Sequence, residues 1–395
     1  MRVLFVTPYY PPAHLGGIER AIMRLASALH TVAPETETSV ITTSFAFPPR
    51  FLPGLPASSN EDGSAVYRLR AVPPASLPLF PYYSCPVTVF HPANVRSILS
   101  HTQPDIIHMV GDGWAAVHLL LLALRARHTA VVFTPSFHSM TRDRQWLRLP
   151  NRLICAAAER TTVLTRLEAA GVAAAYHVPP DRMRLAPWGM EVNTATSPAP
   201  GGTDGILRIL CVGRVGAHKG QRWLVQTYAQ AHRHFQRRTR LVLVGKDEGE
   251  AHQAVADAAT LGVADDVELV GEVSDADLVQ QYARASIFAL FSHFEAFGLV
   301  YFEAMAHGVP VVTHRVGANA ELLTRGAIVV APFDREAATT ALVRLVNDTD
   351  ARHRLGQEAR QLVQQQFTWE RCALTFLQVY REATDERRRT TATGL

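Results

Sequence analysis

Residues 287–310 read Ile287-Phe-Ala-Leu290-Phe-Ser292-His-Phe-Glu295-Ala-Phe297-Gly298-Leu299-Val-Tyr-Phe-Glu303-Ala-Met-Ala-His-Gly308-Val-Pro310. Ile287–Leu290 is an apolar run too short for a typical helix, so it reads as a buried strand. The spacing predicts a helix from near Gly298 to about His307, with Gly308 as a left-handed C-terminal cap. Pro310 then opens the next strand, Pro310–Thr313. Strand, helix and strand in succession form a βαβ unit, the building block of a parallel sheet.

The same alternation extends outward from this unit. The second half holds Leu207–Val212, Arg240–Val244, Val267–Val270 and Ala327–Val330. The first half holds Val3–Thr7, Thr38–Thr42, Ile106–Met109, Ala130–Phe133 and Arg160–Leu164. A chain of 395 residues is too long for one ordinary core. The segment 196–205, TSPAPGGTDG, has linker composition. The expected fold is therefore α/β, with two Rossmann-like doubly wound domains, 1–195 and 206–369. The carboxyl ends of their strands are expected to face each other across a cleft, where ligands bind in such folds.

Phe367, Trp369, Cys372, Phe376, Val379 and Tyr380 recur at helical spacing. A C-terminal helix, about 370–395, is expected to pack back on the first domain, fraying beyond Thr384. The stretch Pro48–Pro92 carries 10 of the 24 prolines, among scattered aromatics, and reads as a loop-rich insertion. Acceptor contact and plain surface packing both stay open for it.

Composition narrows the class. Hydrophobic residues make up 48% and charged residues 19%, which is globular rather than disordered. The four cysteines are dispersed, which argues against a disulfide framework or zinc site and suits a cytoplasmic protein. No apolar stretch approaches a membrane span, and the N-terminus reads as a strand rather than a signal peptide. The net charge is +4, and residues 1–193 hold 17 Arg against 12 acids, a local excess of +5. That excess could face phosphate or anionic lipid, so peripheral contact at the inner face of a membrane stays open. No dense basic stripe points to nucleic acid.

Phe297, Gly298 and Leu299 lie where a helix N-terminus leaves backbone N–H groups free, a ready anion site. Glu295 precedes that helix and Glu303 lies more than a turn inside it, so the two reach different parts of one extended ligand. A carboxylate can accept two sugar hydroxyls. In Val212-Gly213-Arg214-Val-Gly-Ala-His-Lys219-Gly220, Arg214 and Lys219 share a glycine-punctuated loop after a strand. Both can reach one pyrophosphate. They stand out in a chain with 37 Arg and only two Lys, Lys219 and Lys246. Gly16 and Gly17, after the first strand, open a helix and allow close backbone approach. His138 follows the strand Ala130–Phe133. Arg142, Arg144 and Arg148 with Trp146 form a basic, aromatic patch suited to an acceptor phosphate, a membrane or plain solvent. Asp275-Ala-Asp277 is a literal DxD, but Ser274 and Asp277 fit a helix-capping pair, so no metal is expected.

The run from Glu295 to Glu303 resembles the E-x7-E motif of the retaining glycosyltransferases of family four, which have the GT-B fold. The likeness extends over nearly the whole chain and is strongest from Leu207 to Thr313. It implies that Glu303 holds the nucleotide ribose, that Glu295 contacts the transferred sugar, and that Arg214 and Lys219 bind the diphosphate. It also implies that the amides of Phe297, Gly298 and Leu299 meet sugar and pyrophosphate. Gly16 and Gly17 would close over the donor, and His138 would lie near the reacting carbon. Asp105-Ile-Ile-His108 is also similar to a family segment, with His108 either lining the cleft or ending a strand. The donor implied is a nucleotide-diphosphate sugar, UDP- or GDP-linked, with no cofactor. The acceptor is a glycan, lipid-linked or small molecule, with His108, Arg142 and Arg144 as candidate contacts. Two departures stand out: Trp188, where the family usually has Asn-Gly, and Lys246, where an acid is common. A nucleotide-sugar 2-epimerase and a non-enzymatic sugar-nucleotide binding protein are the alternatives. Sugar, base, acceptor and oligomeric state stay open.

Overall fold

The computed structural model describes residues 1–12, 17–46, 50–51, 54–72, 87–88, 92–111, 114–135, 145–192 and 205–393. It divides into two compact units: Met1–Gly189 with Trp369–Leu395, and Met190–Thr368. The chain therefore passes between units at 189–190 and at 368–369. Most of the 196–205 stretch lies outside the described residues.

The first unit is built on eight strands: β1 (Arg2–Val6), β2 (Glu37–Thr43), β3 (Ser58–Glu61), β4 (Ser64–Leu69), β5 (Ile106–Val110), β6 (Ala130–Thr134), β7 (Arg160–Val163) and β8 (Met183–Leu185). Their order in the sheet is β8-β7-β6-β5-β1-β2-β4-β3, parallel throughout except for the β3–β4 hairpin. Helices α1 (Gly17–Val32), α2 (Pro92–Thr102), α3 (Ala115–Leu124), α4 (Gln145–Ala157) and α5 (Arg166–Tyr176) fill the crossovers. The central strands read as continuous apolar runs because both faces of a parallel sheet are covered. Leu4, Val6, Ile107, Met109, Val131 and Phe133 are all buried in one core cluster.

Two expectations need correction here. Part of the 48–92 insertion is sheet, not loop: β4 pairs in parallel with β2 and extends the main sheet. Asp62 and Gly63 have φ of +48° and +82°, the two left-handed positions of a type I′ hairpin turn. The Asp-Gly pair was the available signal, masked by the surrounding prolines. The C-terminal end does not fray at Thr384 either, since α13 spans Trp369–Ala392. Glu382 and Glu386 both pair with Arg160, and Arg387 donates to the carbonyl of Arg127 at 2.7 Å. The charge run is thus anchored on the first unit, where α13 packs against α1.

Trp188, a departure from the family pattern, belongs to this core. It is buried and stacks on Phe376 at 5.7 Å, one residue before the crossing.

The second unit holds β9 (Leu207–Val212), β10 (Thr239–Val244), β11 (Val267–Gly271), β12 (Ile287–Leu290), β13 (Val311–His314) and β14 (Ala327–Val330). They are parallel, in the order β11-β10-β9-β12-β13-β14. The helices are α6 (Gln221–His232), α7 (Ala251–Thr260), α8 (Asp275–Arg284), α9 (Leu299–Ala306), α10 (Asn319–Leu322), α11 (Arg335–Asn347) and α12 (Thr349–Gln366). Ser274 caps α8, its Oγ accepting from the Asp277 amide at 3.2 Å and donating to Asp277 Oδ2 at 2.7 Å. The literal DxD is therefore part of a helix start.

Candidate functional site

In the second unit β9, β10 and β11 run outward in one direction, and β12 returns to the other flank of β9. Such a reversal opens a crevice at the carboxyl ends of the strands, where ligands of open parallel sheets bind. Two loops flank it: 213–220 after β9 and 291–298 after β12.

These loops are joined at three levels. Gly220 has φ +70°, and a Cβ there would lie 2.3 Å from the carbonyl oxygen of Phe291, so only glycine lets the backbones meet. The amide of His293 donates to the carbonyl of His218 at 2.9 Å. Lys219 Nζ donates to Glu295 Oε1 at 2.7 Å, and Ser292 Oγ donates to the same oxygen at 2.6 Å. Glu295 is buried, and its carbonyl accepts from the Ala318 amide at 2.9 Å.

Arg214, at the start of the first loop, pairs with Glu248 at 2.6 Å on an open surface. Its carbonyl accepts from Gln221 Nε2 at 2.9 Å, which braces the loop from α6. Between the two cations lies His218, whose pKa is lowered by burial first and then by the charges of Lys219 and Arg214. The field that disfavours an imidazolium there favours an anion.

Helix α9 starts at Leu299, with Gly298 in the left-handed region at φ +77°. A Cβ on Gly298 would meet the Tyr301 ring at 2.5 Å. The side chain of Phe297 turns inward, buried against Phe302 and Phe367. That leaves the backbone of this turn as its ligand-facing chemistry. A turn further on, Glu303 Oε2 accepts from Tyr282 OH at 2.7 Å. Tyr282 is buried on α8 and stacks on His307, whose Nδ1 donates to the Glu303 carbonyl at 2.9 Å. Behind the site His314 is fully buried; its Nε2 accepts from the Phe333 amide at 3.1 Å, and burial lowers its pKa to about 4.

Arg214, Lys219, Glu295, Phe297, Gly298, Leu299 and Glu303 thus all follow the carboxyl ends of the two central strands of the second unit's sheet, β9 and β12. Gly17 opens α1, after β1, in the first unit. Gly16, His138, Arg142 and Arg144 lie outside the described residues. His108 is a correction. It is fully buried, with Nδ1 bonded to Tyr380 OH at 2.8 Å and Nε2 to Thr134 Oγ1 at 2.7 Å. With no exposed edge and both nitrogens engaged, it holds α13 to the sheet and cannot touch an acceptor. Glu248, Ser292 and Tyr282 were missed. Ser292-x-x-Glu295 has the spacing of a local side-chain pair and was legible, whereas the other two are brought in by tertiary packing.

Two parallel-sheet Rossmann-like units, one carrying this loop pair at its switch point, define the class of protein with the GT-B fold. Solved structures share the fold. Sucrose-phosphate synthase from Thermosynechococcus elongatus aligns with a TM-score of 0.76 at 21% identity, over 96% of this chain and 98% of that one. Anabaena HepE in complex with UDP and glucose aligns with a TM-score of 0.69 at 17% identity, over 96% and 98%.

Residues 15–194 match the family model described as Glycosyltransferase Family 4, and residues 199–362 match Glycosyl transferases group 1. The chain belongs to this family of glycosyltransferases. Among curated relatives, the D-inositol 3-phosphate glycosyltransferase of Xylanimonas cellulosilytica is 32% identical over 254 residues, 59% of each chain. An uncharacterized glycosyltransferase of Methanocaldococcus jannaschii is 25% identical over 97% of this chain and 98% of its own. The match to the Xylanimonas protein thus spans less than two thirds of that relative's length.

Proposed function

We propose that the protein transfers a hexose from a nucleotide-diphosphate sugar to an acceptor hydroxyl, with retention of anomeric configuration and without a metal ion. The observation that carries this reading is the Lys219–Glu295 contact, which joins a cationic loop to a helix-start loop at the switch point. Family membership and the solved relative bound to UDP and glucose support a nucleotide sugar as donor. UDP and GDP are the nucleotides to test first.

Transfer breaks the bond between the anomeric carbon and the phosphate oxygen and forms one to the acceptor oxygen. The leaving diphosphate gains negative charge as the bond breaks. Lys219 has three N–H donors, one of them directed at Glu295, and the others are available to phosphate. Arg214 and the amides at the start of α9 add to the same stabilisation. Glu303, fixed by Tyr282, binds the ribose, and Glu295 binds the sugar hydroxyls. The acceptor proton passes to the leaving phosphate oxygen on the same face, so no protein nucleophile is assigned. Gly16, Gly17 and His138 are assigned donor contacts, and Arg142 and Arg144 acceptor contacts, from family resemblance alone.

The test is incubation with UDP- and GDP-sugars, with and without a panel of acceptors. Transfer predicts free nucleoside diphosphate that rises with acceptor, a product of retained configuration by NMR, and full activity in EDTA. Epimerised donor with no acceptor requirement would identify the 2-epimerase, and binding without turnover would identify a sugar-nucleotide binding protein. Loss of activity in EDTA would refute metal independence.

A further inference from the structure

We propose that the outer face of α4 and α5 docks the first unit on an anionic lipid bilayer. The proposal does not rest on the transfer reading. Among the described residues the first unit exposes five large hydrophobic side chains, and four of them fall on α4, α5 and the adjacent β8. Leu149 and Leu153 on α4 are 64% and 51% exposed, and Leu167 on α5 is 50% exposed. Leu185, on the edge strand β8, is the fourth.

The placement follows helical geometry. Arg148, Leu149, Arg152, Leu153 and Ala156 are exposed at i, i+1, i+4, i+5 and i+8, one face of a helix, while Asn151, Ile154 and Cys155 are buried on the other. On α5, which packs against α4, Arg166, Leu167, Ala170 and Ala174 are exposed with the same periodicity. The acid within these two helices is Glu168. It is buried, its Oε2 accepting from the Leu164 amide at 2.6 Å, while its own amide donates to Thr165. The outward faces therefore present three arginines and three leucines with no exposed acid.

Each leucine side chain left in water forgoes burial, and nothing in composition requires three of them on the exposed faces of two packed helices. A two-fold contact with a second copy would set arginine against arginine. A bilayer with anionic headgroups supplies the opposite charge, and its acyl boundary takes the leucines. Arg148, part of the basic patch read in the sequence, lies on this face one turn before Arg152.

The experiment is co-flotation of the purified full chain with vesicles of phosphatidylglycerol and phosphatidylcholine, and with phosphatidylcholine alone. The protein is expected to float with the anionic vesicles and to be released by salt. Leu149→Ser/Leu153→Ser and Arg148→Gln/Arg152→Gln should each weaken binding about tenfold or more, with the melting temperature unchanged. Leu374→Ser, at an exposed leucine on α13, should bind like the parent. No flotation with anionic vesicles, or undiminished binding by both double variants, overturns the proposal. So does a dimer in solution that Leu149→Ser/Leu153→Ser dissociates while vesicles go unbound.

Discussion

The ammonium of Lys219 and the carboxylate of Glu295, 76 positions apart in the chain, meet at 2.7 Å where two strand-end loops converge. The contact needs Gly220 beside it, because the backbone of the first loop touches that of the second there. Cation, carboxylate and helix start are therefore positioned by one packing arrangement.

Gly220→Ala should destabilise the protein by about 2 kcal/mol or more, since it combines a left-handed φ with a clash against backbone. Gly249→Ala is the control: its φ is +101°, yet nothing lies within 4 Å of the added methyl group. Denaturant unfolding of both variants measures the difference. Equal losses would show that φ strain alone accounts for Gly220.

Glu303→Ala should weaken nucleotide-sugar binding by about 10- to 100-fold, the worth of hydrogen bonds to a charged group. Tyr282→Phe removes only the hydroxyl that fixes this carboxylate, so its effect should be smaller and fall on KM rather than kcat. Calorimetric titration with the donor measures the first and steady-state kinetics the second. Unchanged affinity in Glu303→Ala would remove the ribose assignment.

Much of this geometry was legible in the sequence, and the reasons are local. The strands of the second sheet are short apolar runs between glycine- or proline-marked turns, which a parallel sheet produces directly. Gly308 at φ +74° closes α9 as its position after the apolar helix suggests. What stayed hidden was set by distant partners. Glu248 was a surface acid until β10 carried it to Arg214, and Tyr282 was a helix residue until α8 laid it on Glu303. His108 misled because strand-end histidines of a binding site and of a core look alike in sequence; its bond to Tyr380, 272 positions away, decides between them.

Stability should fall as the medium is acidified. Burial holds His108 and His118 at about 3 and His314 at about 4, all below the ordinary 6.5. Above about pH 6.5 both the folded and unfolded states keep these rings neutral, so stability is complete. Below it the unfolded chain takes up protons that the folded chain refuses, and stability declines until the folded values are reached. His118 lies beside Trp114 and Phe133, and among the described residues neither ring nitrogen has a hydrogen-bond partner. His118→Phe should therefore flatten the loss between about pH 7 and pH 5. Unfolding curves at the two pH values check this, and an unchanged slope would show that His118 contributes nothing to it.

The most direct measurement compares the affinities of a nucleoside and its diphosphate, with uridine and guanosine series, in the parent and in Arg214→Ala/Lys219→Ala. The account predicts that the parent prefers the diphosphate strongly and that the double variant loses about 10²-fold of that preference, with nucleoside affinity unchanged. A double variant that keeps the full diphosphate preference would contradict it.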